Sequence, residues 1–579
     1  MKFFNTIVKP AFRILSPSYR KKSVVIIFLM ILQAFLDFLN ITAFFPLLAL
    51  ISKPDAFTTL SWLQPYIANY SHSELILLLT AAILIFTTLK SLIVWKITVT
   101  NSNFVYDVAH DISLRVIASQ LRSGYLQYIQ SDFSKEMSRA SNLPLAFANN
   151  IIISLTTLVS EGIVSMLIVI GIAFVNFKLV LSLLFILIPL GLIYMLNRKK
   201  IKKISDEIKV KYPESIKYAL QTTEAWSEIK TNQKETYFFN RFKNVSHKLA
   251  KVFSSDHTTQ VFSSRLIELF TTLITCSIIF WSVISQQEYQ NTLLLLAIYV
   301  GASFRLLPSI NRILNALLQI KGHEFLLDEL KSAEAPQGFV GNSNNITKMY
   351  FEESILLDNI SFSYPGRELL FNGIQLKIKK GEKVALIGKS GDGKTSLLLI
   401  LLGILRASSG KVVVDNKELA DNTNPQYGSL FSYVSQQPYI LDASIKENVA
   451  FGIQAVEIDL NRLYEALHQA ELFTLVDGLP ERIETQIGEK GIRLSGGQRQ
   501  RLAIARALYT NREILVLDEV TNQLDKETEA EIIKTLQKIA QQNKTILMVT
   551  HHRELLPLFD RVLKLENGKL ADVTVELRR

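Results

Sequence analysis

The sequence predicts two parts of different class, a membrane-embedded all-α domain of six helices followed by a cytosolic α/β domain. Three observations carry this expectation. Six apolar stretches fill residues 23–320, each near or above the roughly twenty residues that a helix needs to cross a hydrocarbon layer of about 30 Å. From about residue 350 the sequence becomes charged and Gly-punctuated, with short apolar runs bounded by turn residues. In that second half Gly388–Thr395 reads GKSGDGKT, directly after the apolar run Val384–Ile387 and directly before a helix-like apolar run from Ser396.

The bulk numbers agree with that division. Apolar residues make up 49% of the 579 and charged ones 20%, and the mean hydropathy is positive, which is high for a water-soluble chain. The expected domains are residues 1–330 in the membrane, a polar linker at 331–350, and 351–579. The net charge of +11 is concentrated at the ends of the apolar stretches, where it faces anionic lipid, so it does not argue for nucleic acid. Cys276 is the single cysteine, which excludes an intrachain disulfide, a four-cysteine zinc site and a CxxC redox motif.

The membrane stretches lie near 23–51, 75–100, 146–175, 178–197, 259–284 and 292–319. A single helix over 146–197 would be about 75 Å long, so a turn is expected at Asn176–Phe177–Lys178. The first stretch, preceded by Arg13, Arg20, Lys21 and Lys22, is longer than the apolar core of a signal peptide and reads as an uncleaved span. Basic segments flank the first span and follow the fourth, while 285–291 has no Lys or Arg, so both termini are expected in the cytoplasm, across a bacterial inner membrane. Polar helical segments at 101–142 and 198–257 are then cytoplasmic rods, with short transverse helices expected within Tyr125–Met137 and Glu214–Lys230. Leu60, Trp62, Leu63, Tyr66, Ile67 and Tyr70 predict an interfacial helix in the first outer loop.

Ionisable side chains within spans are costly and point to function unless they find partners. Lys90, Arg265, Arg305 and Arg312 stand out, the last two seven residues apart and hence on one helix face. Gathered in a shared cavity they suit a phosphate or pyrophosphate group. The plainer alternatives are that Arg265 pairs with Glu268, that Lys90 snorkels, and that Arg312 lies beyond the bilayer. Asp37 and Glu161 also fall within spans, with no role that the sequence assigns.

In the second half, Gly388, Lys389, Ser390, Gly391, Asp392, Gly393, Lys394 and Thr395 form a P-loop. Its backbone N–H groups cradle phosphates, Lys394 neutralises the β and γ oxygens, and Thr395, followed by Ser396, offers a hydroxyl to Mg²⁺. The buried-strand pattern Ile514–Leu517 ends in Asp518 and Glu519, one acid for Mg²⁺ and one to orient and deprotonate an attacking water.

Leu494, Ser495, Gly496, Gly497 and Gln498 read LSGGQ, and with the preceding motifs the chain resembles the ABC transporter ATPases along nearly its whole length. The resemblance implies that Tyr364 stacks on adenine and that Gln436 touches Mg²⁺ and water. It implies that His551 contacts the γ-phosphate and that Asp525 is the acid of the loop after the second strand motif. It also implies that LSGGQ faces the site of a second subunit, so that two copies enclose two ATP molecules. The chain departs from the family at VTNQLD (520–525), where ATSALD is usual, and at His552, where Arg is common.

Six spans and one ATPase domain resemble half-size exporters of lipids, peptides and drugs. AFFPLLALIS in the first span, Lys90, Arg265 and FRLLPSINRI (304–313) are similar to PglK-type flippases of lipid-linked oligosaccharides. That resemblance implies a polyprenyl-diphosphate-linked glycan moved outward by a homodimer, or a heterodimer. A peptide, bacteriocin, drug or general lipid exporter, and a non-transporting regulatory subunit, are the alternatives.

Overall fold

The computed structural model describes residues 3–44, 46–47, 50, 70–175, 187–284, 289–331, 349–419, 423–521, 526–541 and 544–577. The chain divides into two compact units, Met1–Ser123 with Gln130–Phe339, and Gly124–Ile129 with Val340–Arg579. The predicted outer-loop residues Leu60 to Ile67, the turn at Asn176–Lys178, most of the linker and Asp525 lie outside the described residues.

The first unit is helical. Among the described residues three helices are long and apolar enough to cross a membrane, Pro17–Thr42, His72–Arg122 and Phe133–Phe174, which makes this an integral, multi-pass membrane protein. Helices Leu187–Glu224, Glu235–Ile284 and Tyr289–Gly322 run over the described parts of the remaining predicted stretches. Phe28, Leu84, Leu92, Trp95, Met166 and Phe174 face outward. In water such a surface would drive aggregation, whereas in lipid it is the solvated face and the polar backbone is satisfied inside each helix.

His72–Arg122 spans 51 residues, about 76 Å of helix, so it passes through the bilayer and beyond it. Its start is fixed by a capping box, in which the Ser71 side chain accepts from the Glu74 N–H and the Glu74 carboxylate accepts from the Ser71 N–H. In its polar half Val105, Val108, Ala109 and Ile112 are buried at helical spacing against Phe147, Ala148 and Ile151.

The short transverse helices differ in extent from the expected segments. Tyr125–Gln130 stands alone, because Asp132, in extended conformation, caps a new helix by accepting from the N–H groups of Ser134 and Lys135. Likewise Leu187–Glu224 runs through Glu214 and tolerates Pro213 within it. The separate short helix is Trp226–Thr231, set off by the non-helical Ala225.

The second unit has two sheets. Strands β1 (Ser354–Ser363), β2 (Leu369–Lys379), β4 (Ser409–Val414) and β5 (Lys417–Glu418) form an antiparallel sheet in the order β2-β1-β4-β5. The larger sheet contains β3 (Lys383–Ile387), β6 (Phe431–Val434), β7 (Ile514–Asp518), β8 (Thr545–Val549), β9 (Arg561–Glu566) and β10 (Lys569–Asp572). Its order is β10-β9-β3-β8-β7-β6, parallel throughout except at the β10 edge. β7 and β8 are buried at every position, as parallel strands covered on both faces must be. Alternate residues feed two cores: Leu515 and Leu517 enter one, Ile514 and Val516 the other.

Candidate functional site

Sheet register builds the site. Pairing of Val434 with Leu517, of Asp518 with Val549, and of Leu386 with Val549 aligns the carboxyl ends of β6, β7, β8 and β3 on one edge. The residues that follow those ends, Gln436, Glu519, His551 and the loop from Gly388, therefore converge at the place where open parallel sheets bind ligands.

The loop from Gly388 to Gly393 connects β3 to helix Lys394–Leu401. Gly393 takes φ of 96°, and a Cβ there would meet the Leu370 side chain at 2.8 Å, so conformation and space both require glycine. The Asp392 carboxylate accepts from the Lys389 N–H at 2.7 Å and ties the loop to itself. Lys394, 5% exposed, donates from Nζ to the Gly388 and Lys389 carbonyls, each at 2.9 Å, and lies 3.6 Å from Glu519 Oε1. Ser396 and Tyr364 share a hydroxyl hydrogen bond of 2.9 Å, and the Tyr364 ring stands edge-on to Phe362.

Glu519 is the hub. Its φ of 49° is unusual for a side-chain-bearing residue, a strained conformation of the kind found where a side chain must be aimed. Its N–H donates to the Val549 carbonyl. His551 Nε2 lies 3.1 Å from Oε1, and Gln436 Nε2 donates to Oε2 at 3.2 Å. Three separate sequence motifs thus meet on one carboxylate.

Asp518, 2% exposed, accepts from the Tyr433 hydroxyl through Oδ2 at 3.3 Å, while its Oδ1 is buried without a partner. Burial pushes its carboxyl above the usual range, offset in part by the neighbouring Thr395 and Tyr433 hydroxyls. A buried acceptor left open beside the Thr395 hydroxyl fits a hard divalent cation, which takes oxygen ligands.

Ser495 caps helix Gly496–Thr510 in a capping box with Gln498. The Gln498 side chain is engaged there, which leaves the Ser495 hydroxyl and the helix's first N–H groups as donors. Gly497 has a reason that the motif did not announce: a Cβ would stand 1.8 Å from Thr528 Cγ2 on helix Lys526–Ala540. The departure at His552 is also accounted for, since its Nδ1 lies 2.7 Å from Glu529 on that same helix.

The four membrane cations are not free charges. Lys90 Nζ lies 2.6 Å from Asp37, Arg305 bridges Asp37 at 3.1 Å and Glu161 at 3.4 Å, and Arg312 reaches Glu161 at 2.6 Å. The Ser309 hydroxyl donates to Glu161 at 2.6 Å. Three of the cations expected to gather around a phosphate therefore already have carboxylate partners, and two carboxylates neutralise two of these three charges. Arg265 is outside the cluster, exposed and paired with Glu268 at 2.8 Å. Hydropathy had flagged all five of these charged residues; which of them pair across helices had no signal in the sequence.

The fold and this site define a class, a multi-pass membrane protein carrying a P-loop ATPase. Residues 371–522 match the ABC transporter family, which makes that region an ABC-type ATPase, and the protein is an ATP-binding, ATP-hydrolysing transporter of exporter type. It is 28% identical over 422 residues to an ATP-dependent lipid A-core flippase of Ralstonia nicotianae, covering 72% of this chain and 70% of that one. It is 30% identical over 344 residues to the uncharacterized ABC transporter ATP-binding protein YwjA of Bacillus subtilis, covering 59% and 58%. A bacterial Atm1-family ABC exporter with ATP bound shares the fold, with a TM-score of 0.76 and 18% identity over 97% of this chain and 96% of that one.

Proposed function

We propose that two copies of this chain, each with six spans and cytoplasmic termini, use ATP to move a lipid-linked, phosphate-bearing substrate outward. The substrate class is a polyprenyl-diphosphate-linked oligosaccharide or a related glycolipid. Residues 1–330 form the membrane domain in this reading, and 351–579 the ATPase.

The observation that carries the reading is the intramembrane cluster. Lys90, Arg305 and Arg312 against Asp37 and Glu161 leave one net positive charge, at a depth where ions are maintained only for a purpose. A phosphate can take the place of a carboxylate on an arginine without leaving that arginine unpaired, because both anions accept its paired donors. The relatives named for lipid A-core flipping support a lipid substrate.

In the ATPase, Lys394 and the loop amides hold the phosphates, and Tyr364 supports the base. Thr395 and Asp518 would hold Mg²⁺ with Gln436; the metal supplies charge neutralisation at the phosphate oxygens. Glu519 accepts the proton of the attacking water, and His551 keeps that carboxylate oriented and reaches the γ-phosphate. Leu494–Gln498 and Asp525 serve the partner's nucleotide.

The test is ATPase activity in lipid nanodiscs with and without a polyprenyl-diphosphate oligosaccharide, with Glu519→Gln as the blank. The expected result is stimulation that is lost in Arg305→Gln or Arg312→Gln. Basal hydrolysis indifferent to that lipid would favour peptide or drug export.

A further inference from the structure

The residue three places before Gln436 belongs to no motif used above. Tyr433 sits on β6, and its hydroxyl donates to Asp518 Oδ2 at 3.3 Å. A phenol hydroxyl with a carboxylate oxygen as its partner is a neutral donor that holds that oxygen in place. A carboxylate held by one oxygen cannot rotate freely. Here the held oxygen is Oδ2, and the one left open is the buried, partnerless Oδ1.

Tyr433 also has a neighbour from a distant part of the chain. Segment Gly124–Ile129 belongs to the same compact unit as the ATPase, and Tyr125 and Leu126 pack against the same apolar core as Tyr364 and Tyr433. The Tyr125 phenol lies near enough to interact electrostatically with both of those tyrosines. One of them is hydrogen-bonded to Ser396, next to Thr395, and the other to Asp518. The short helix from the loop between the second and third spans therefore begins with a ring packed on the same core as both supports of the metal site.

We propose that Tyr433 is a positioning residue for the Mg²⁺ carboxylate and that Tyr125 ties it to the cytoplasmic helix Tyr125–Gln130. At this contact the membrane half acts on metal binding rather than on nucleotide binding. The inference rests on the reading of Asp518 as the Mg²⁺ acid. Motion of the helix shifts Tyr125, loosens the Tyr433 hydroxyl from Oδ2, and frees the carboxylate to turn. ATP held by the loop and Lys394 is not disturbed by that motion.

The experiment uses the full-length protein in nanodiscs on a Glu519→Gln background, with Mn²⁺ as the probe, titrated in the presence of ATP and followed by electron paramagnetic resonance. ATP affinity in EDTA is measured alongside. Tyr433→Phe keeps the ring and removes only the donor. It is expected to weaken Mn²⁺ binding about three- to tenfold, the worth of one hydrogen bond, with ATP affinity in EDTA unchanged within about twofold. Tyr125→Ala should weaken Mn²⁺ in the same direction, and the double variant should bind Mn²⁺ no more weakly than Tyr433→Phe alone, as for two residues acting through one contact. Unchanged Mn²⁺ affinity in Tyr433→Phe, with Asp518→Asn weakened, overturns the proposal while sparing the metal-site reading. Loss of ATP binding in EDTA shows a merely structural tyrosine, and multiplying effects of the two variants break the link to Tyr125. Mn²⁺ affinity indifferent to Asp518→Asn overturns the metal-site reading itself.

Discussion

The ATPase site and the membrane ion cluster are built alike and differ in what surrounds them. In each, carboxylates gather donors from distant parts of the chain: Glu519 collects Lys394, His551 and Gln436, while Asp37 and Glu161 collect Lys90, Arg305 and Arg312. The ATPase cluster opens on an edge of strand ends, and its parts are set by backbone: a left-handed Glu519, glycine-dependent turns and aligned strands. The membrane cluster lies on long helices and is set by side-chain pairing. Rigid backbone suits chemistry that needs fixed geometry, whereas ion pairs between helices suit the proposed exchange of a carboxylate for a phosphate.

The largest effect that would separate the two is on hydrolysis. Glu519→Gln should lower phosphate release by more than about a hundredfold, the scale of a lost general base, with ATP binding retained by filter assay. A similar loss on changing Arg305 would break the comparison, since the membrane cluster should alter stimulation and not basal chemistry.

Gly497→Ala should destabilise the ATPase unit by about 1–3 kcal/mol, because its Cβ would occupy the place of the Thr528 methyl. Thermal unfolding would show the loss, and adding Thr528→Ser, which removes that methyl, should restore most of it. Failure of the rescue would mean that Gly497 is needed only for its N–H.

Glu161→Gln should cost at most about 3 kcal/mol, since Asp37 still neutralises Arg305 and Arg312 is half exposed. The double change Glu161→Gln with Arg312→Gln should recover part of that stability in detergent melting. The smallest effect is expected at Arg265, whose exposed pair with Glu268 is worth well under about 1 kcal/mol. A loss of lipid-stimulated ATPase in Arg265→Gln without a change in melting would place that residue on the substrate.

The sequence by itself determined the α-helical membrane class, the α/β ATPase class and the identity of the ATP motifs. Each depends on residues close in the chain: about twenty apolar side chains make a span, and the P-loop, the paired acids and LSGGQ are short runs whose chemistry is local. Hydropathy also singled out every charged residue of the membrane cluster. It did not pair them, because Lys90 to Asp37 and Arg305 to Glu161 join helices far apart in sequence, and periodicity within one helix says nothing of the face opposite. For the same reason only tertiary structure decided that Gly497 is a packing residue, that His552 pairs with Glu529, and that Tyr433 grips Asp518. Such contacts are set by strand register and helix packing, which bring together side chains that local sequence leaves unrelated.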